Sequence, residues 1–437
     1  MLRALSRPAT RLMERWLPDA FIFVIVLTLI AALGAVLTQG VSPVAVVRMW
    51  GDGFWELLSF AMQMMLVLAT GFILASSPPV KRLLRRMAGL AKTRGGAIML
   101  VTLVSMAASW INWGFGLVVG AIFAKEIARQ IKVDYRLLVA SAYSGFIIWH
   151  GGISGSIPLT IATPGHFAEA QIGVIATSDT IFAAWNLAMV AVILVTLPFL
   201  NRMMLPPEDE EVLCDPARLV DDDRSVPPGS GATPAERLEN SRLLMWAIGL
   251  PGLAWLALHV VEGGGLNLNV VNFLFLILGI LLHGTARNLL NCLDEGVRAG
   301  SGILIQFPFY AGIMAIMAGS GLAATMAQGF VSLASADSLP FWSFISAGII
   351  NIFIPSGGGQ WAVQAPVMIP AAQALGADQA RVAMGVAWGE AWTNLLQPFW
   401  ALPMLGIAGL KPRDIMGFCV VLLLVTGILL GGMFWFV

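Results

Sequence analysis

Ser109-Trp110-Ile111-Asn112-Trp113-Gly114-Phe115-Gly116 splits one hydrophobic run of the chain, and 244 positions later Phe353-Ile354-Pro355-Ser356-Gly357-Gly358-Gly359-Gln360 splits another. A second pair of interruptions has the same spacing: Gly145-Phe146-Ile147-Ile148-Trp149-His150-Gly151-Gly152-Ile153-Ser154 and Gly389-Glu390-Ala391-Trp392-Thr393-Asn394-Leu395-Leu396-Gln397-Pro398. Hydrocarbon cannot hydrogen-bond the backbone that such breaks expose, so irregular backbone within a membrane has to face protein or a water-filled cavity. Corresponding breaks in two halves point to a transporter's binding site.

Composition places the breaks in a bilayer. Hydrophobic residues make up 58% of the chain and charged ones 11%, against about 25% charged in an ordinary soluble domain. The chain therefore reads as an all-α polytopic membrane protein. Basic and acidic residues balance at 25 each, which offers no bulk charge for nucleic acid. Cys214, Cys292 and Cys419 lack metal-ligand spacing and imply no disulfide framework. The Arg-bearing amphipathic start, Met1 to Trp16, precedes an apolar run without a small-residue cleavage site, which predicts a retained first helix.

Nine apolar runs reach spanning length, about 20 residues: 18–38, 54–77, 137–162, 180–204, 242–261, 268–283, 299–318, 380–409 and 413–436. Regions 96–130 and 340–373 are split by the first pair of breaks into halves too short to span comfortably. Lys and Arg favour cytoplasmic loops. Arg3, Arg7, Arg11 and Arg15 then put the N-terminus inside, and basic clusters flank 96–130 on both sides, making it a re-entrant hairpin with its tip at Asn112-Trp113-Gly114. Loop 163–179 and segment 319–340, both without Lys or Arg, fall outside, so the second hairpin enters from the outside. Only Arg48 and Arg381 fall on the wrong side.

The expected fold is an inverted repeat with two re-entrant hairpins and two broken transmembrane helices. Residues 1–205 form the first repeat, 206–240 a solvated cytoplasmic linker, 241–262 a linking helix and 263–437 the second, inverted repeat. Gly114 meets Gly358, Asp134 meets Asp378 and Gly145 meets Gly389 at the fixed offset.

Asn112 and Ser356 sit at matching tips, where Trp113-Gly114 and Gly357-Gly358 let backbone approach a ligand closely; the plainer reading of each is a capped turn. His150-Gly151 with Ser154, and Thr393-Asn394 with Gln397, interrupt longer helices at matching depth. Half-helix N-termini suit a carboxylate, and unwound carbonyls with hydroxyl or amide oxygens suit a hard cation; the spacing leaves open which break takes which. Glu390 is an acid inside a predicted span, by default a candidate for proton or cation coupling, with a hydrogen-bonded structural carboxyl as the alternative. His150 could share that coupling role or cap a helix end. Gln63 and Gln306 are expected to bridge helices rather than line a cavity.

Trp50-Gly51-Asp52-Gly53-Phe54-Trp55, Ile111-Asn112-Trp113-Gly114-Phe115-Gly116, Pro355-Ser356-Gly357-Gly358-Gly359 and Gln397-Pro398-Phe399-Trp400-Ala401-Leu402-Pro403 resemble the bacterial short-chain fatty acid transporter family of the ion-transporter superfamily. The resemblance runs along nearly the whole chain. It implies uptake of small monocarboxylates such as acetoacetate or butyrate across the bacterial inner membrane by cation-coupled symport, in a homodimer. It further implies substrate and ion sites at Asn112, Ser356, Ser154, Thr393 and Asn394, with Asn112, Ser356, Thr393 and Asn394 the candidate oxygens if the coupling ion is Na⁺. The paired Ser-Asn-Thr signature of the superfamily's sodium-coupled dicarboxylate members is not intact here, so Na⁺ and H⁺ both stand as candidates.

The leading expectation is thus a symporter whose substrate size is limited by whichever of Trp113, Trp149, Trp361 and Trp392 point inward. A sodium/proton exchanger is the alternative within the same superfamily. No zinc motif, nucleophile elbow or paired catalytic carboxylates support an intramembrane enzyme.

Overall fold

The computed structural model describes residues 20–215, 219, 233–352 and 354–436. The amphipathic start with its four arginines, most of the middle of the expected linker, and Phe353 lie outside the described residues. The first half contains α1 (Ala20–Gln39), α2 (Pro43–Gly53), α3 (Leu58–Ser76), α4 (Pro78–Ala88), α5 (Arg94–Ile111), α6 (Trp113–Ala128), α7 (Tyr135–Ser144), α8 (Ser156–Ile161), α9 (Glu169–Ile172) and α10 (Ala184–Met203). After α11 (Pro234–Glu239) and α12 (Arg242–Val261) come α13 (Leu268–His283), α14 (Ala286–Gly319), α15 (Leu322–Leu333), α16 (Leu339–Ile350), α17 (Gly357–Leu375), α18 (Gln379–Thr393), α19 (Pro398–Ala408) and α20 (Pro412–Phe436). No β-strand occurs among the described residues.

Seven of these segments are long and apolar enough to cross a membrane, counting Tyr135–Ile161 as one despite its break. The order recurs in the two halves: a lead helix (α1, α13), a long packed helix (α3, α14), a short helix (α4, α15), a helix pair (α5 and α6, α16 and α17), a broken helix and a closing helix (α10, α20). The recurrence extends to capping chemistry at the 244-residue offset. Asn112 Oδ1 accepts from Phe115 N and Ser356 Oγ from Gly359 N, while Asp134 Oδ1 accepts from Leu137 N and Asp378 Oδ1 from Arg381 N. Each satisfies a first-turn amide that a helix start leaves without an intrahelical partner.

Several expectations need correction. Arg48, one of the two basic residues that break the charge rule, lies in an amphipathic helix, α2, between the first two expected spans. Segment 319–340 holds α15, and the expected 299–318 span is part of a continuous 34-residue helix. The 18 residues of α5 rise about 27 Å at 1.5 Å each, longer than expected for half a hairpin. The described start of the linker is not simply solvated. Arg94, at the head of α5, bonds Glu211 Oε1 through Nε at 2.6 Å, Glu208 Oε1 at 3.1 Å and Pro206 O at 2.7 Å. Tyr135 N donates to Val212 O at 2.8 Å and Val212 N to Asp134 Oδ2 at 3.0 Å. Residues 206–212 thus strap the head of α5 to the head of α7.

The core lies where α3, α6, α14 and α17 meet the two broken helices. α12 is peripheral: Gly249 and Gly252 seat it on Leu281 and Ile277 of α13, and Leu243, Ile248 and Val261 stay exposed, as suits lipid contact.

Candidate functional site

The first helix pair turns at a single residue. Asn112 ends α5 and caps α6, and its Nδ2 donates to Val67 O of α3 at 3.2 Å. Its oxygen rests on Gly71, where any Cβ would collide with it. The first break, a tight helical turn over Gly145–Gly151 followed by turns to Gly155, is stitched to that tip. Ser154 Oγ accepts from Trp113 N at 2.9 Å, Ile153 N donates to Trp110 O at 2.8 Å, and Trp110 Nε1 donates to Gly151 O at 3.0 Å. Gly152 has to be glycine because a Cβ would run into the Trp110 backbone. Gly151 is pinned from beyond by Asn186, whose Nδ2 donates to its carbonyl and whose Oδ1 accepts from Trp388 Nε1.

The second break is organised by one amide. Asn351, just after α16, directs Nδ2 at Glu390 O, Thr393 Oγ1 and Asn394 Oδ1 at 3.0, 2.9 and 2.8 Å, and its own carbonyl accepts from Gln397 Nε2 at 2.7 Å. Tyr143 of the first half closes the turn from outside, donating to Asn394 O at 2.5 Å and lying 3.2 Å from Gln397 O. The candidate sodium oxygens of Asn112, Ser356, Thr393 and Asn394 thus each already accept a hydrogen bond from the protein.

Between the breaks, His150 Nε2 lies 3.5 Å from Glu390 Oε2, both side chains fully buried. Asn394 Nδ2 donates to Oε2 at 2.9 Å. Glu390 Oε1 and both His150 nitrogens have no hydrogen-bond partner. Leaving such a buried polar atom without a partner costs about 1–3 kcal/mol. The imidazole also abuts the backbone of Gly357, the first residue of α17.

A cavity of about 330 Å³ lies alongside, at the small end of ligand pockets, about 300–1,000 Å³. Trp113 from the first tip and Ser356, Gly357 and Gly358 from the second line it together. Its remaining wall is mostly apolar (Leu68, Leu117, Phe307, Trp400), with Ser156 and Gln306 as polar exceptions. Trp113 packs edge-on against Trp400 at 5.4 Å between ring centroids, and Trp149 sits 5.9 Å from Trp113.

The structure therefore gathers Trp113, Ser356, Gly357 and Gly358 at the cavity, with His150 and Glu390 behind Gly357. Asn112, Gly114, Gly151, Ser154, Thr393, Asn394 and Gln397 are not in the cavity lining; those with hydrogen-bonding side chains use them in caps and links within the two breaks, and Gly114 presses on Leu68 of α3. Of the four candidate tryptophans, Trp113 lines the cavity and Trp149 packs beside it, while Trp392 is turned to Leu423 O. Gln63 does bridge helices, donating to Asn269 Oδ1 at 2.9 Å; Gln306 instead faces the cavity. Asn351, Ser156 and Trp400 were not singled out as site residues by the sequence reading. The only signal for Asn351 was an amide closing an apolar run directly before a break.

The chain matches, over residues 1–437, the family described as short chain fatty acid transporter. It is 47% identical over 434 residues to the Escherichia coli (strain K12) protein named "Putative short-chain fatty acid transporter", covering 98% of both chains. A Haemophilus influenzae protein of the same name is 44% identical over 438 residues, again with 98% of each chain covered. In fold, the chain resembles the crystal structure of the Alcanivorax borkumensis YdaH transporter, with a TM-score of 0.63 at 17% identity, covering 96% of this chain and 97% of that one.

Proposed function

As this chain belongs to the short-chain fatty acid transporter family, a family of membrane transporters rather than enzymes, we propose that it takes up short-chain monocarboxylates such as acetoacetate and butyrate by cation-coupled symport with alternating access. The observation that carries this reading is the small cavity bounded by Trp113 on one side and Ser356-Gly357-Gly358 on the other. An apolar wall fits a short alkyl tail, and the start of the 19-residue α17 fits a carboxylate.

The coupling ion enters this reading through His150 and Glu390, an ionisable pair within the spanning region. With an ionisable pair at the breaks, H⁺ is the coupling ion of this reading. The repeats at 1–205 and 263–437, the 206–240 linker and the 241–262 linking helix belong to the same reading, supported by the recurring element order. So do opposite membrane orientations with two re-entrant hairpins, a cytoplasmic N-terminus, the bacterial inner membrane and a homodimer, which the loop charges and the family resemblance support.

Purified protein in proteoliposomes is expected to accumulate labelled butyrate under an inward proton gradient, above protein-free vesicles, and not under a sodium gradient alone. Cation flux without butyrate uptake would instead favour the exchanger, the reading that the His150–Glu390 pair taken by itself would suit.

A further inference from the structure

We propose that the carboxylate of the transported acid is held entirely by neutral donors: the Ser156 hydroxyl, the Gln306 side-chain amide, and the main-chain amides of Gly357 and Gly358. The inference rests on the monocarboxylate reading above and adds which atoms take the anion. Ser156 and Gln306 are 3% and 6% exposed and both line the cavity. Among the described residues the Ser156 hydroxyl has no hydrogen-bond partner, and it borders the cavity. Gln306 is oriented by its neighbour one turn on: Tyr310 Oη donates to Gln306 Oε1 at 3.3 Å. That places the oxygen toward Tyr310 and leaves Nε2, with two hydrogens and no acceptor among the described residues, as the free end. Tyr310 in turn packs against Gly359, so the free amide belongs to the same corner as the start of α17.

There the helix adds two donors. Ser356 Oγ takes Gly359 N and Ser356 O takes Gln360 N, while the amides of Gly357 and Gly358, first in the helix, have no intrahelical acceptor. A carboxylate offers about four lone-pair sites, and four donor groups of three kinds, on Ser156, Gln306, Gly357 and Gly358, border the same cavity. No Lys or Arg is among the described residues of that wall, so the anion's charge is met by the positive end of α17. The apolar remainder, including Leu117, Phe307 and Trp113, is left for the tail.

The test uses the full-length protein in proteoliposomes and initial rates of labelled butyrate uptake. Ser156→Ala and Gln306→Leu are each expected to raise KM about tenfold to a hundredfold, the loss of one hydrogen bond to a charged group, with Vmax within about twofold, the mark of lost binding rather than lost turnover. Ser156→Thr, which keeps the hydroxyl, is expected to restore KM. Excess butyramide, which has the tail without the charge, is expected not to compete in the unaltered protein. That arm needs no variant to fold. An unchanged KM in both truncations, a fall in Vmax at unchanged KM, or competition by butyramide equal to butyrate overturns the clamp while leaving the substrate reading in place. Absence of butyrate uptake by the unaltered protein overturns both.

Discussion

His150 and Gly357 touch across the two halves of the chain: the imidazole Nε2 occupies the space that a Cβ at Gly357 would need. On its other side the same imidazole meets Glu390 Oε2 at 3.5 Å, while Gly357 itself borders the cavity. One glycine therefore separates the cavity from a buried His–Glu pair.

Gly357→Ala should drive the new methyl into His150 and Trp149 Cη2. Overpacking of this kind costs about 1–3 kcal/mol, and butyrate uptake is expected to fall at least about tenfold. The thermal midpoint should drop with it and recover in part when His150→Ala is added. Uptake and midpoint both at the unaltered level would show that the contact does not constrain the helix start.

Glu390→Gln keeps the size and the hydrogen-bonding capacity of the side chain but cannot exchange a proton. If this residue carries the coupling ion, gradient-driven accumulation is lost, whereas exchange of labelled for unlabelled butyrate at equal concentrations continues. Accumulation at the unaltered rate in the variant rules the residue out of coupling.

Trp113→Ala removes the large side chain that the first tip contributes to the cavity wall. Competition assays should then show hexanoate gaining on butyrate by about tenfold or more, since each added methylene buried contributes about 0.8 kcal/mol. An unaltered chain-length profile would place the size limit elsewhere, with Trp400 the next residue to truncate.

Asn351→Ala would leave Thr393 Oγ1, Asn394 Oδ1 and Glu390 O without their common donor. The expected cost is about 1–3 kcal/mol, read as a lowered thermal midpoint together with reduced uptake. A variant as stable as the parent would mean that the second break is held by Tyr143 and Gln397 alone.

The positions of the tips and breaks were legible in the sequence because glycine and polar residues inside apolar runs are costly in a membrane, so each had to mark irregular backbone. Asp134 and Asp378 were paired by spacing alone and prove to cap equivalent helices. The short helices α2 and α15 were not legible, since at 11 and 12 residues neither reaches spanning length. Within the candidate site, the sequence pointed to the tips and breaks but not to how their side chains divide between the cavity and internal links. Asn351 finds its partners 39 to 43 residues away, which no local pattern encodes; Gln306 and Tyr310 are one turn apart on α14, but only the packing around that helix turns them to the cavity. Asn112 drew attention as a tip residue, but the chamber receives its neighbour Trp113 while the amide itself is spent on Phe115 and Val67.

The strap at 206–212 ties the head of α5 to the head of α7 through Arg94, Asp134 and Tyr135. At the equivalent place in the second half, Asp378 caps its own helix and pairs with Arg381 three residues on. Two halves with the same order of parts thus differ at their bases: in the first, a segment from outside both elements bridges hairpin and broken helix, while the described contacts of Asp378 stay within its own helix start.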